Sequence, residues 1–417
     1  MSRSSIPVLS AFDSSLAVLK EGYRFIGNRC DALGSDIFRT RIMLSDVVCM
    51  RGPAAAEIFY RKGRFTRRGA MPRTALALLQ GRESVQMLEG EAHRHRKHMF
   101  MEMMSDDALA RAADLFRGEW EAVMQDRTGR HIVIHDAVGR MLTRTAIRWC
   151  GLGLRDAEPE RRAEELAAMI DGAGRIGPSH ARARLLRRRC ERWARGVIHD
   201  IREGLLLLDH GMPAERIALH RDPSGDLLSL KAAAVELINL LRPIVAVGRF
   251  VVFAAHALHT QPSAAGRLSA DASEEEVTAF VQEVRRFYPF FPVIGGRVLE
   301  AFTWRGHPFA PGDWVLLDLY GTNHDPGAWT EPETFAPARF YDWAGNAHMP
   351  VPQGGGGFLT GHRCPGEWLT IALTGEAVRR LLATKHRVPE QDLEIPMNRF
   401  PTGPRSGFVM EIPAPSK

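Results

Sequence analysis

Gln353-Gly-Gly-Gly-Gly-Phe-Leu-Thr-Gly-His-Arg-Cys364-Pro-Gly-Glu367 is the stretch that decides how this chain is read. A glycine loop delivers one cysteine to the start of a predicted helix, Glu367 to roughly Thr384. At a helix N-terminus the macrodipole and the free N–H groups favour a thiolate over a thiol. A thiolate held this way suits a metal better than it suits packing. No second cysteine or histidine pair stands nearby to complete a tetrahedral zinc site. A single thiolate does suit haem iron, where its electron donation favours O–O cleavage. An isolated cysteine otherwise reads as a small buried hydrophobe, and it is the surrounding Gly-His-Arg-Cys-Pro-Gly that turns the reading toward a ligand.

Outward from this loop, the chain has 417 residues, 45% hydrophobic, with 55 Lys+Arg against 49 Asp+Glu and a net charge of +6. That is an ordinary globular composition and excludes disordered and collagen-like classes. The five cysteines, Cys30, Cys49, Cys150, Cys190 and Cys364, are odd in number and form no C-x-x-C pair. This argues against a disulfide framework or a Cys-rich zinc site and fits a reducing cytoplasm. No apolar leader follows the N-terminus, so a secretory signal is not expected. The most apolar segment, Pro243 to Leu258, is interrupted by Arg249 and His256 and falls short of the ~18 unbroken residues a membrane span needs. The expectation is a soluble cytoplasmic protein with no stable membrane insertion. The densest basic run, Arg182 to Arg195, holds Arg182, Arg184, Arg187, Arg188, Arg189, Arg192 and Arg195. It reads as a solvated face of an amphipathic helix, or as a face for an acidic partner. No zinc-finger spacing or aromatic RNA motif accompanies it, so no nucleic acid is expected.

Helical periodicity dominates. Ser273-Glu-Glu-Glu276 is a capping box, followed by Val277, Phe280, Val281, Val284 and Phe287 on one stripe, with Pro289 closing the helix. Lys231 to His259 is apolar nearly all round, which marks a central buried helix, kinked where Arg242-Pro243 removes a backbone bond at a cost of about 3 kcal/mol. Strand-like runs are few: Ile42–Met50, Arg297–Trp304, Trp314–Leu319 and Gly407–Ile412. Asn323 to Phe340 is a Pro-rich meander. With no internal repeat or composition break, residues 1–417 read as one large domain, mainly α with a minor β region.

Three motifs in order carry a resemblance. Cys364 in its glycine loop is one. Glu283-Val-Arg-Arg286, an E-x-x-R pair on the capped helix, is the second. Trp329-x-x-Pro332-x-x-Phe335-x-Pro337-x-Arg339-Phe340 is the third. Together they resemble the haem-thiolate proteins of the cytochrome P450 superfamily. Monooxygenases of that superfamily place an acid and a threonine side by side in the central helix; this chain has Arg242-Pro243 there. That departure is similar to the fatty-acid peroxygenase branch, as is Gly357, seven residues before Cys364 where most of the superfamily has Phe. Further similar stretches, such as Ala92-His-Arg-His-Arg-Lys97 and Leu316-Leu-Asp-Leu-Tyr-Gly-Thr-Asn-His-Asp325, extend the resemblance almost end to end.

The resemblance implies haem b with Cys364 as the axial ligand and Arg67, His93 and Lys97 at its propionates. It implies fatty acid and hydrogen peroxide as substrates, with no redox partner. It also implies that Gln86 and Pro243 shape the distal pocket, since Gln stands at that position in the branch's hydroxylases and His in its decarboxylating relatives. Ile170, Ala173, Phe290 and Phe291 would line the fatty-acid channel, although ordinary core packing explains these four equally well. Arg242 points to the same substrate on physical grounds apart from the family. A lone guanidinium on an apolar helix needs an anion, and a fatty-acid carboxylate supplies one, bound by charge-assisted hydrogen bonds. The other partner open to Arg242 is Glu236, by a salt bridge. The expected reaction is hydroxylation at the α or β carbon. The alternatives are decarboxylation to a terminal alkene, a monooxygenase fed by redox partners, and a non-catalytic haem-thiolate sensor. No G-x-G-x-x-G follows a strand, so no fused nicotinamide or flavin domain is expected.

Overall fold

The computed structural model describes residues 6–414 apart from Arg82, Thr128, Arg267 and Ala270. Helices account for about 52% and strands for about 10%, so the mainly helical expectation holds. At the centre lies the helix Leu230–Ala246, in which every residue from Ala232 to Arg242 is buried. A helix apolar on all faces has no solvent side to offer, so it sits where other helices cover it. Pro178–Arg202, Ile134–Trp149 and Pro159–Asp171 do so.

The sequence predicts one kinked helix from Lys231 to His259. The chain instead passes through Pro243 and breaks four residues later, at Val247, before resuming as Gly248–Thr260. The N–H of Val247 is shared between the carbonyls of Pro243 and Ile244, both at 3.2 Å, a tightened last turn of the kind that ends helices. Gly248 then brings the second helix against Ile134–Trp149, where a Cβ would stand 3.3 Å from Val138 Cγ1. The segment Leu230–Thr260 is long and apolar enough to cross a membrane, yet 94% of its apolar window is buried in the interior.

Nine strands appear among the described residues: β1 (Ile37–Ile42), β2 (Ser45–Met50), β3 (Phe65–Thr66), β4 (His131–Val133), β5 (Val293–Val298), β6 (Phe302–Trp304), β7 (His307–Phe309), β8 (Trp314–Asp318) and β9 (Val409–Glu411). The main sheet has the order β1-β2-β8-β5-β3, with β2 and β8 parallel in the register Val48↔Val315. The predicted strand Ile42–Met50 is cut by a hairpin turn, with Ile42 ending β1 and only Ser45–Met50 forming β2. That turn is made by Met43 and Leu44 at φ 53° and 58°, a left-handed pair usually built from Gly or Asn; with neither present, the turn carries no signal. The predicted run Arg297–Trp304 divides into the end of β5 and all of β6. The last predicted strand, Gly407–Ile412, contains β9, which pairs with β4.

The capped helix forms as Glu274–Phe287, with both bonds of the Ser273–Glu276 capping box made. The cysteine helix spans Glu367–Ala383 and packs on Asp106–Asp126, Gly248–Thr260 and Glu274–Phe287. This packing holds the glycine loop against the central helices.

Candidate active site

The loop before Cys364 is shaped by close approach. Gly356 sits at φ 84°, and a Cβ there would lie 2.8 Å from Tyr60 Cβ, so no other residue fits. Cys364 lies three residues ahead of the helix start, with Gly366 as N-cap. Its Sγ faces Gln353 Nε2 at 3.9 Å. The sequence predicts that the helix terminus favours the thiolate. In the protein alone burial dominates and pushes the thiol up, opposed by the Gly366 N–H, Lys97 and Arg285. Coordination to a metal would hold the cysteine as the thiolate against that burial.

Behind the cysteine, Arg285 Nη2 meets Glu367 Oε1 at 2.6 Å and Gln353 Oε1 at 3.2 Å, and Arg363 Nε pairs with Glu367 at 2.7 Å. These groups brace the loop against the capped helix. The E-x-x-R pair is formed bidentately: Arg286 Nε and Nη2 each reach Glu283 at 2.7 Å, with both side chains 0% exposed. Arg286 also donates to the carbonyls of Asn323, Pro332 and Thr334, and Arg339 Nε joins Glu283 at 3.3 Å. Every donor of the buried guanidinium is thus used, which is what makes a buried pair tolerable.

On the other side of the loop, basic side chains gather without an acid, Arg67 and Lys97 as cations and His93 and His362 held neutral. Arg67 donates from Nη1 to Gly295 O at 2.8 Å and lies over the Phe59 ring at 4.7 Å. His93 packs on His362 with ring centroids 4.1 Å apart. Lys97 donates from Nζ to the carbonyls of Gly361 and Arg363, the latter at 2.8 Å. Burial, reinforced by the neighbouring cations, lowers His93 to about 4 and His362 to about 2, and burial lowers Lys97 to about 8. Among the described residues none of these groups forms a salt bridge. A ligand carrying carboxylates beside the cysteine would meet the uncompensated charge of Arg67 and Lys97 and accept from the histidine N–H groups, and the two propionates of a haem fit the donor set.

Arg242 is buried and donates from Nη2 to Leu79 O. Its Nε has no hydrogen-bond partner, and no carboxylate lies within ion-pair distance among the described residues. Burial first, and then the charge of Arg187, push the guanidinium down to about 9. The Glu236 alternative is overturned. Glu236 pairs with Arg96 Nη1 at 2.9 Å and also accepts from the Val85 N–H at 2.8 Å and Asn239 Nδ2 at 3.1 Å. Asn239 Nδ2 also reaches Gln86 Oε1 at 3.4 Å, so Gln86 and Arg242 are linked to one helix face. Pro243 follows Arg242 in that helix.

Of the four expected channel residues, Ile170 lines a cleft of about 280 Å³ with Val245, Ala246 and Arg249. Ala173 follows the end of that residue's helix, its N–H bonded to Ile170 O at 3.3 Å. Phe290 stacks on Phe250 at 4.3 Å, and Phe291 stands edge-on to Phe290 at 5.0 Å and is 42% exposed.

A sequence model of the family described as Cytochrome P450 matches residues 276–372. Among curated proteins, cytochrome P450 4A7 of Oryctolagus cuniculus is 30% identical over 139 residues, which is 32% of this chain and 26% of that protein. The chain therefore spans about a quarter of the length of that relative in the matched region. Solved structures match throughout. Cytochrome P450SP alpha (CYP152B1), in complex with (R)-ibuprophen, is 44% identical with a TM-score of 0.92, covering 96% of this chain and 98% of that one. Cytochrome P450EX alpha (CYP152N1), with myristic acid, is 38% identical with a TM-score of 0.93, covering 97% and 98%. A variant of cytochrome P450 OleT, in complex with arachidonic acid, is 31% identical with a TM-score of 0.93, covering 98% of each chain. The chain belongs to the cytochrome P450 superfamily, in its fatty-acid peroxygenase branch. As a cytochrome P450 it is a haem-thiolate oxidoreductase, with haem iron held by a cysteine thiolate.

Several groups of this cytochrome P450 site are not readable from spacing. His362 joins the basic cluster through His93 although its neighbour Cys364 draws all the attention in sequence. Leu79 contributes a backbone carbonyl, which no side-chain pattern can announce. Arg96 appears in a basic run and turns out to be the partner of Glu236. Arg187, assigned by sequence to a solvated basic face, is buried instead. Arg182 and Arg189 of that face stand near Glu164 and Glu165, while Arg184, Arg188 and Arg192 are exposed.

Proposed function

We propose that this protein hydroxylates long-chain fatty acids at the α or β carbon, with α favoured, using hydrogen peroxide and no redox partner. The observation that carries this reading is Arg242, a buried guanidinium on an apolar helix with an unsatisfied Nε and no acid partner among the described residues. A fatty-acid carboxylate supplies the missing anion through charge-assisted bonds worth about 1.5–3 kcal/mol each. The similar structures of P450EX alpha with myristic acid and of an OleT variant with arachidonic acid support the same substrate class.

Haem b, ligated by Cys364 with Arg67, His93 and Lys97 at its propionates, supplies the oxidising centre when bound. Arg242 holds the substrate carboxylate in place. The central helix offers no free acid for proton transfer, because Glu236 is committed to Arg96, Val85 and Asn239. The substrate carboxylate is then the group that takes a proton from hydrogen peroxide and returns it to the oxygen leaving as water. Overall, R–H and H2O2 give R–OH and H2O. Anchoring the carboxylate leaves Cα and Cβ as the reachable carbons, so position follows from geometry. Gln86, tied to Asn239, is neutral at all working pH and supports hydroxylation over decarboxylation. Ile170, Ala173, Phe290 and Phe291 are assigned to the alkyl channel, and residues 1–417 to one haem-thiolate domain. Five cysteines, none in a disulfide, support a cytoplasmic setting.

The test is purified haem-loaded protein with myristic acid and hydrogen peroxide, without NAD(P)H or carriers, and products read by mass spectrometry. Abundant 2- or 3-hydroxymyristate is the expected result. A 1-alkene as the main product would overturn the hydroxylation assignment alone. No product, with acetate plus shorter substrates also inert, would overturn peroxygenase activity.

A further inference from the structure

Three successive carbonyls end the helix Arg73–Leu79, and two arginines from different helices divide them. Arg187, on Pro178–Arg202, donates from Nη1 to Leu78 O at 2.6 Å and from Nη2 to Gln80 O at 3.2 Å. Arg242 donates from Nη2 to Leu79 O, the carbonyl between them. Nε of Arg187 is tied to Glu191 Oε1 at 2.8 Å, and the Arg187 side chain is 5% exposed. The chain then leaves through Gly81 at φ 94°, where a Cβ would stand 3.0 Å from Arg187 Nη2 and 3.1 Å from Val235 Cγ1. Gly81 is therefore the residue that admits the Arg187 guanidinium to this turn.

Adjacent peptide planes share a Cα, so clamping the carbonyls of Leu78 and Gln80 leaves that of Leu79 little freedom. Leu79 O is the one protein acceptor that Arg242 has among the described residues. Its direction constrains how Arg242 can present its remaining N–H groups, the unpartnered Nε among them. The planar fork of an arginine can span two carbonyls; a lysine ammonium on its flexible stem cannot hold both in fixed geometry.

We propose that Arg187 is a positioning residue for the substrate carboxylate: by gripping Leu78 O and Gln80 O it orients Leu79 O and, through it, Arg242. The inference rests on the assignment of Arg242 as fatty-acid anchor. Arg187 also adds a second cation at the anchor, and its charge is met by Glu191, so the charge left for an incoming carboxylate is that of Arg242.

The test uses haem-loaded wild type, Arg187→Gln, Arg187→Lys and Arg242→Ala. Each is titrated with myristate by the shift of the haem Soret band, then assayed with hydrogen peroxide for KM, kcat and the 2-hydroxy to 3-hydroxy product ratio. Arg187→Gln is expected to weaken myristate binding and raise KM by about tenfold, the size of one displaced hydrogen bond at the anchor. Its kcat should change less than KM, and its product ratio should broaden. Arg187→Lys is expected to restore the melting temperature more fully than the affinity. Myristate affinity and product ratio within twofold of wild type in Arg187→Gln would leave Arg187 a helix cap and overturn the proposal. If Arg187→Gln does not fold, Glu191→Gln loosens Nε while keeping the guanidinium. A weaker affinity there supports the proposal, and an unchanged one overturns it. A wild type with no myristate response overturns the anchor assignment and this inference with it. A wild type that responds, beside a silent Arg242→Ala and an unaltered Arg187→Gln, overturns this inference alone.

Discussion

Glu236 Oε1 stands 2.9 Å from Nη1 of Arg96, and this pairing is what leaves Arg242, further along the same helix, without an acid. The carboxylate is fully buried and occupied by three donors in all. Had Glu236 turned toward Arg242, the distal side would carry a closed internal ion pair and no call for an external anion. The charge pair at Glu236 thus leaves an unmet charge six residues further along the same helix.

The first consequence concerns Arg242→Ala. Loss of the guanidinium removes charge-assisted bonds of about 1.5–3 kcal/mol each, so fatty-acid affinity should fall by about tenfold or more, and peroxide-driven hydroxylation of myristate should be lost. The reduced carbon monoxide complex should keep its thiolate spectrum, because the Cys364 loop is braced by Arg285, Arg363 and Glu367 and not by Arg242. Retained hydroxylation would contradict the anchor role.

Arg96→Met should be costly. It leaves Glu236 buried with its charge unmet, a change that typically costs about 3–5 kcal/mol. A denaturant melt should show the midpoint falling accordingly. Because Glu236 also holds the Val85 N–H next to Gln86, the product ratio should shift together with stability. Arg96→Met combined with Glu236→Leu should recover much of the loss, since removing both charges removes the stranded one.

Gln86→His should raise the proportion of terminal alkene among the products. An imidazole can titrate near neutral pH where an amide cannot. Gas chromatography of the product mixture from myristate and hydrogen peroxide reads this directly, and an unchanged ratio would count against Gln86 as the discriminating side chain.

Acid should destabilise the fold before carboxylates titrate fully. Burial, with Arg286 adding to it, lowers His324 to about 3, and burial lowers His256 to about 4, both from 6.5. Between those values and 6.5 the unfolded chain binds more protons than the folded one, so stability falls as pH drops through that window. His324→Gln should flatten the slope of unfolding free energy against pH below about 6.5, the unfolded histidine value. A slope equal to that of wild type would show that other groups carry the acid lability.

What could be read in the chain itself were features that act over short contiguous stretches. The Ser273 capping box, the Glu283–Arg286 pair, the meander with Arg339 and the glycine loop of Cys364 each declare themselves by local spacing, because one helix turn or one tight turn brings their groups together. The central helix was legible because apolar residues on every face leave no other place for it. The Met43–Leu44 turn was not, since its left-handed backbone is made by residues that rarely adopt it, and the break at Val247 was not, since it is tertiary packing that lets the chain pass Pro243 unbroken.

Only the tertiary structure decided which charges meet. Arg96 and Glu236 are 140 residues apart, and Arg187 and Leu78 are 109 apart, so no periodicity connects them. Arg187 and Arg188 are adjacent in a basic run, yet one is buried on backbone carbonyls and the other exposed, because a helix turns by about 100° per residue. The sequence therefore determined the cofactor-ligand loop and the presence of a lone arginine in an apolar helix. Which acid that arginine lacks, and which backbone carbonyl aims it, was settled by distant segments packing together, since ion pairing in the interior depends on what burial brings within reach.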